Sequence, residues 1–138
     1  MITSVERFYA SARIMVDELL KDDPVGATYF GEHRFDDRLS DCTPEALKEQ
    51  RRRLGNWLVK FEECDAADWS LDARIDRTLV VQIIKRWIRG FDRIRGPERD
   101  PGGFAGECLS GVYGLVIRDF APLPPRLMRL RLFGEQAM

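Results

Sequence analysis

The sequence has little histidine, and this scarcity limits the chemistry that the chain can perform. His33 is the only histidine among the 138 residues. Zinc sites of the HExxH type, and other sites that need two histidine ligands, are therefore excluded within one copy of the chain. His33 could act as a single acid or base if Glu32, Asp36 or Asp37 oriented it. A surface histidine is the favoured interpretation, because the surrounding residues are typical of a loop.

Cysteine is also scarce, and Cys42, Cys64 and Cys108 are widely separated. They form no CxxC pair and no zinc-knuckle spacing, so we expect reduced thiols of the kind found in cytosolic proteins. No apolar run approaches the ~20 residues that span a bilayer, and the first residues lack the basic and apolar regions of a signal peptide. The sequence therefore predicts a cytoplasmic protein without a membrane partner.

An excess of positive charge is absent as well. Lysine and arginine number 22 against 23 acidic residues, which gives a net charge of −1. Proteins that bind nucleic acids usually present a strongly basic surface, so no nucleic-acid partner is predicted. The basic run 51–53 has Glu49 one helical turn from Arg53, a spacing that indicates a solvated helix face.

The sequence lacks the common motifs for phosphate binding and for serine nucleophiles. Asp36, Asp37 and Asp41 could together hold a cation, but their spacing is not that of a calcium loop. Ion pairs and turn capping are the favoured roles of these carboxylates. We therefore predict no cofactor in this chain.

What the sequence does contain is apolar residues at helical spacing through most of its length, without the alternation of a strand. The pattern predicts helices near residues 4–21, 24–31, 44–64, 70–95, 109–120 and 126–133. A polar loop is expected over 32–42 and a turn-rich link over 99–103. Ser4, Thr43 and Ser70 are the predicted N-caps. The prediction is an all-α fold, a single-domain bundle of about five to six helices over residues 1–138.

The predicted helix near residues 70–95 has the widest apolar face. Its apolar positions sweep an arc of about 200° at ~100° per residue, more than a simple surface helix needs. We therefore expect this helix to be central and packed against at least two neighbours. The last predicted helix, in contrast, has barely two turns before the chain stops, which favours a truncated helix.

Two segments of the chain together resemble bacterial domain-of-unknown-function family 885. The first is DPVGATYFG at 23–31, followed by FDDRLSD at 35–41. The second consists of RDP at 99–101, SGVYGL at 110–115 and RDFAPL at 118–123, with Arg126 after it. The order and separation of these motifs agree with the family, so the resemblance covers about residues 5–130. The chain departs from the family pattern from Arg129 onward.

Members of this family are long helical proteins, often exported or anchored as lipoproteins, and they resemble zinc metallopeptidases. Their C-terminal half carries an HExxPGH-type motif, in which two histidines hold the metal and the glutamate activates a water molecule. None of these ligands is present here. The resemblance therefore implies the N-terminal part of such a protein, with zinc expected only in full-length relatives. It also implies that five motif positions lie near the substrate cleft of those relatives: Asp36, Asp37, Arg38, Tyr113 and Arg118.

Three hypotheses about function follow. The first is a non-catalytic N-terminal helical domain, or truncated remnant, of a zinc-peptidase-like protein of unknown substrate, which predicts a bare apolar surface where the missing half would pack. The second is a stand-alone helical module that uses such a surface to bind a second copy or a partner helix. The third, and least favoured, is a small enzyme built around His33.

Overall fold

The chain folds entirely into helices and connecting loops. The computed structural model describes residues 3–136, except for the side chains of residues 97, 98, 101 and 136. Its helices are α1 (Ser4–Asp22), α2 (Pro24–Tyr29), α3 (Pro44–Glu62), α4 (Leu71–Arg89), a π-helical segment (Gly90–Ile94), α5 (Gly96–Arg99), α6 (Pro101–Ile117) and α7 (Leu123–Gln136). The described residues contain no strand, and the predicted all-α, helical-bundle fold is confirmed.

Packing divides the chain into two compact units, and each unit is built from two separate stretches. Unit 1 comprises Met1–Asp17 and Thr43–Gly96, and unit 2 comprises Glu18–Cys42 and Pro97–Met138. Helix α1 is continuous across the boundary between residues 17 and 18. The single-domain organisation of the chain stays a prediction.

An aromatic cluster forms the core of unit 1. Phe8 of α1 and Phe61 of α3 are 2% and 0% exposed, and their rings meet edge to face with centroids 5.5 Å apart. Trp69, in the loop before α4, lies 5.1 Å from the Phe8 ring. Helices α3 and α4 pack against each other, and the Arg77 guanidinium of α4 donates to the Phe61 carbonyl at 2.9 Å. This cation satisfies the end of α3, where carbonyl groups have no donor within the helix.

The N-caps of α3 and α4 are those that the sequence predicts. Thr43 and Ser70 each accept a hydrogen bond from the backbone N–H three residues later, at 3.3 Å. At α1 the prediction was one residue late, because Thr3 rather than Ser4 caps the helix. The Thr3 hydroxyl accepts from the Glu6 N–H at 3.2 Å, and the Glu6 carboxylate accepts from the Thr3 N–H at 2.8 Å. This reciprocal pair is a capping box.

The wide apolar arc of α4 is packed on one side only. Ala73, Val81 and Ile84 are buried. The opposite side of the arc is exposed, with Leu71 at 64% and Leu79 at 54%. Helical periodicity shows which positions are apolar, but it does not show which neighbours cover them. The exposed residues follow one another at four-residue spacing and are called the α4 row: Leu71, Ile75, Leu79, Ile83 and Trp87.

Two predicted boundaries in the second half of the chain are also wrong. Helix α6 begins at Pro101, inside the expected turn-rich link, and not near residue 109. Helix α7 begins at Leu123 and has 14 residues, where a helix of barely two turns over 126–133 was expected. In α6 and in α7, prolines occupy the first turn, where a missing N–H breaks no helical hydrogen bond. The prolines thus start these helices and do not interrupt them.

Helix α6 packs against α2 and α7 in unit 2. Phe133 of α7 is 2% exposed and its ring lies directly on Gly111 of α6, where an added Cβ would stand 2.2 Å from the ring. Leu115 of α6 and Ala27 of α2 are buried in the same unit. Within residues 3–136, none of the helices has both the length and the apolar character needed to cross a membrane.

Candidate functional site

Asp36 lies at the centre of a buried polar cluster in unit 2. Its side chain is 1% exposed. The carboxylate accepts from Thr28 Oγ1 at 2.6 Å and from Arg129 Nη1 at 2.6 Å, and it lies 3.1 Å from His33 Nδ1. A buried carboxylate is costly unless donors and an opposite charge surround it, and these three groups supply both. We call these residues the Asp36 cluster; it fastens the loop after α2 to α7.

His33 is held on two sides. Its ring stacks on the Phe120 ring, with centroids 3.8 Å apart and planes 9° from parallel. The tautomer with the proton on Nδ1 is the one that can donate to the Asp36 carboxylate. A histidine oriented in this way by a carboxylate is suited to act as a general base through Nε2. However, Arg129 already pairs with the same carboxylate, and no described hydroxyl or thiol is hydrogen-bonded to the His33 ring. The geometry therefore favours a fastening role.

The five predicted motif residues differ in what they contact. Asp36 is buried, whereas Asp37 and Arg38 are half exposed with their charged groups 3.8 Å apart. The Arg118 guanidinium donates to the carbonyl of Tyr29, the last residue of α2, at 2.7 Å. It also lies over the Tyr29 ring, 4.7 Å from the ring centroid. Tyr113 is 58% exposed on α6. Asp36 and Arg118 thus both brace α2 and its following loop, and Tyr113 is at the surface.

The sequence did not single out Thr28 and Arg129 of the Asp36 cluster, nor Phe120, whose ring stacks on His33. Thr28 and Phe120 lie within the family-like segments, so the sequence carried a signal for them. Arg129 lies 93 residues after Asp36 along the chain. No local spacing or periodicity links two residues so far apart, and only the packing of α7 brings them together.

Arg126 is a second buried cation in unit 2, with 8% of its surface exposed. Its Nη1 donates to the carbonyl groups of Val116 at 3.1 Å and of Arg118 at 2.6 Å, and its Nη2 donates to Asp119 at 3.1 Å. Carbonyl groups at a helix end have no donor within the helix. Arg126, which belongs to α7, therefore supplies hydrogen-bond donors to the C-terminal carbonyl groups of α6. Its Nε has no partner among the described residues.

The described residues contain no group of three or more histidine, cysteine, aspartate or glutamate side chains that could hold a metal ion. The three cysteines are free. Burial, followed by the charges of Glu107 and Asp41, raises the pKa of the Cys42 thiol above its ordinary value. A raised pKa lowers the thiolate fraction at neutral pH, so Cys42 is a poor nucleophile.

One side of α6 is apolar over about two and a half turns. Leu109 is 72% exposed, Tyr113 58% and Ile117 60%, and their four-residue spacing places them on one side of the helix. The only charged residue of α6 is Glu107. A helix that is apolar all round is normally covered by other protein. These exposed residues are called the α6 face: Leu109, Val112, Tyr113, Val116 and Ile117.

No family model, no curated protein and no solved structure matches the chain. The resemblance to family 885 therefore depends on its motif residues alone, and the activity that it implies is a proposal.

Proposed function

We propose that this chain is the non-catalytic helical domain of a zinc-peptidase-like protein, whose substrate is unknown, and that it supplies packing surface and no chemistry. The observation that carries the proposal is the α6 face. Its five side chains are 41% to 72% exposed and lie together on one helix, whereas single scattered apolar residues are normal on any protein. A contiguous apolar helix face of this kind marks a candidate site for contact with another protein surface.

The Asp36 cluster supports the same proposal. The residues that most resemble the family are used within unit 2: Asp36 is enclosed by its donors, and Arg118 braces the end of α2. Their role is to hold in place α2 and α7, the two helices against which α6 packs. The three free thiols favour a reducing compartment, so we infer a cytoplasmic location.

The partner of the α6 face should be an apolar helical surface. The face has no charged side chain, so charge pairs cannot select its partner. Residues at i, i+3, i+4 and i+7 on one helix instead insert between the side chains of a second helix. The helical C-terminal half of full-length relatives, which carries the HExxPGH-type motif, is the proposed partner.

Calorimetry tests the proposal. The C-terminal half of a full-length relative is produced as a separate polypeptide, and its binding to this chain is measured. The variant Leu109→Gln/Val116→Gln should weaken binding about 30-fold, because two apolar contacts worth about 1 kcal/mol each are lost. The control Ile14→Gln/Val16→Gln replaces two exposed residues of α1, at 55% and 47% exposure, and should bind as the wild type does. Equal binding by both variants would contradict the assignment of the α6 face.

The non-catalytic part of the proposal has its own test. The purified chain should contain no stoichiometric zinc after dialysis against the metal, and it should hydrolyse no peptide. Stoichiometric zinc together with hydrolysis that survives His33→Ala would overturn this part. Hydrolysis that disappears in His33→Ala would instead support the small enzyme built around that residue.

Self-association is the second candidate function, and the α4 row of unit 1 favours it. Five apolar side chains at four-residue spacing form the ridge through which two like helices can cross. Light scattering should then give a mass that rises with concentration, and Ile75→Gln/Leu79→Gln should abolish the rise. A constant monomer mass at high concentration would exclude this candidate.

A further inference from the structure

The α4 row of unit 1 has opposite charges on the two sides of its centre. Leu79 is the middle residue of the row and is 54% exposed. Asp72 lies seven residues before Leu79, and Arg86 lies seven residues after it. Seven residues are close to two helical turns, so these three side chains lie on the same side of α4. Each charge is about 10 Å from Leu79 along the helix axis.

We propose that α4 pairs with α4 of a second copy of this chain in an antiparallel arrangement, with the two-fold axis at Leu79. This arrangement gives a geometry to the self-association candidate, and it rests on that candidate. In a symmetric pair of this kind, two residues face each other across the contact when they lie at equal distances on either side of the axis. Asp72 of each copy then faces Arg86 of the other, and Ile75 of each copy faces Ile83 of the other.

Both charged side chains are available for a contact outside the chain. Asp72 and Arg86 are exposed, and neither makes an ion pair or a side-chain hydrogen bond with another described residue. The Lys85 ammonium of the same helix, in contrast, already lies 2.6 Å from the Glu62 carboxylate. Asp72 and Arg86 can therefore each take an opposite charge from a second copy.

The order of the charges selects the antiparallel orientation. In a parallel pair, residues of equal number face each other, so Asp72 would face Asp72 and Arg86 would face Arg86. Like charges at close range repel, whereas the antiparallel pair has two attractive contacts. Between the charges lie the apolar residues Ile75, Leu79 and Ile83, which are 43% to 54% exposed. An apolar centre with a polar rim is the usual composition of a protein interface.

The same two charges also complement the dipole of α4, because Asp72 is in its first turn and Arg86 is in its last. Reversal of either charge can therefore weaken the helix as well as the contact. Stability alone does not separate these two effects. Recovery of association when two variants with reversed charges are mixed does separate them, because mixing cannot repair a weakened helix.

Sedimentation equilibrium of the full chain provides the test. Asp72→Arg places a second guanidinium opposite Arg86, and Arg86→Asp places a second carboxylate opposite Asp72. Each variant should dimerise about 30-fold more weakly than the wild type, because two attractive contacts become two repulsive ones. An equimolar mixture of the two variants should recover the wild-type affinity to within about threefold, because every contact between unlike copies again joins opposite charges.

Two matched controls and the salt concentration complete the experiment. Asp72→Arg/Arg86→Asp exchanges the charges within one chain, keeps the net charge and should dimerise as the wild type does. Arg13→Asp reverses an exposed charge of α1 and should leave the affinity unchanged. Near 1 M salt the screening length falls to about 3 Å, so the difference between the wild type and each single variant should shrink.

Three results would overturn the proposal, and each has a different meaning. A wild-type chain that stays monomeric at millimolar concentration would exclude the self-association candidate together with this arrangement. Equal dimerisation by the wild type and both single variants would exclude the antiparallel arrangement and leave self-association standing. Two weakened variants whose mixture stays monomeric would show that the charges act on the helix and not across the contact. The proposed role of the α6 face is unaffected by any of these results.

Discussion

Removal of the Asp36 carboxylate should destabilise the protein strongly, although Asp36 lies in a loop. In Asp36→Ala, the donors of Thr28, His33 and Arg129 lose a common acceptor. The Thr28 hydroxyl is buried and keeps the Pro24 carbonyl, 3.2 Å away, as an acceptor, so the cost falls mainly on the Arg129 cation. The Arg129 side chain is 36% exposed, so water can partly solvate its guanidinium.

The magnitude follows from these exposures. Breaking a fully buried ion pair costs about 3–5 kcal/mol, and the half-exposed Arg129 places this cluster at the lower end, at about 3 kcal/mol. For a chain of this size, about 1 kcal/mol corresponds to about 4 °C in the melting temperature, so a decrease of about 12 °C is expected. Asp37→Ala is the matched control, because Asp37 is 42% exposed and should cost less than about 0.5 kcal/mol.

Urea unfolding followed by circular dichroism measures both variants. A double-mutant cycle with Arg129→Gln should give a coupling energy of about 2 kcal/mol between Asp36 and Arg129. If Asp36→Ala were no less stable than Asp37→Ala, or if the coupling were zero, the Asp36 cluster would not hold the loop to α7.

Two further predictions concern packing in unit 2 and an ion pair in unit 1. Gly111→Ala should lower the free energy of unfolding by about 1–3 kcal/mol, because its Cβ would stand 2.2 Å from the Phe133 ring. Gly106→Ala in the same helix has open space and should raise stability by about 0.5–1 kcal/mol, so the two urea midpoints should move in opposite directions. Hydrogen bonds from Arg51 lower the pKa of Asp92 below 3.8, so this pair stabilises the fold above about pH 4 and the contribution is lost as the pH falls through the lowered pKa. The urea midpoint of Asp92→Asn should therefore lie below that of the wild type at pH 7 and approach it as the pH falls through the lowered pKa; a difference that does not change with pH would contradict this.

The sequence was most informative where the physical cause is local. The caps at Thr43 and Ser70 depend on a hydroxyl and on the backbone three residues away, and both were predicted correctly. The start of α6 was missed because Gly102 and Gly103 favour a turn by their own preference, whereas Pro101 at the first position starts a helix. Tertiary packing overrides weak local preferences of this kind.

The candidate site was predicted only in part. Asp36 and Arg118 were singled out from motif resemblance, and both hold α2 and its loop in place. The partner Arg129 could not be predicted, because the ion pair depends on how α7 packs in unit 2. The exposed side of α4 was missed for a related reason: an apolar pattern is the same whether or not a neighbour covers it.

The Asp36 cluster also affects the order in which the chain can fold during its synthesis. All residues of unit 1 precede residue 97, so that unit can close before the rest of the chain is made. Unit 2 cannot close at that stage, because Asp36 would be buried without the Arg129 cation, which is added 93 residues later. Contacts between residues so distant in the chain form slowly, and an emerging chain folds from its N-terminal end. On the ribosome, the loop after α2 should therefore stay open and accessible to proteases until α7 has emerged.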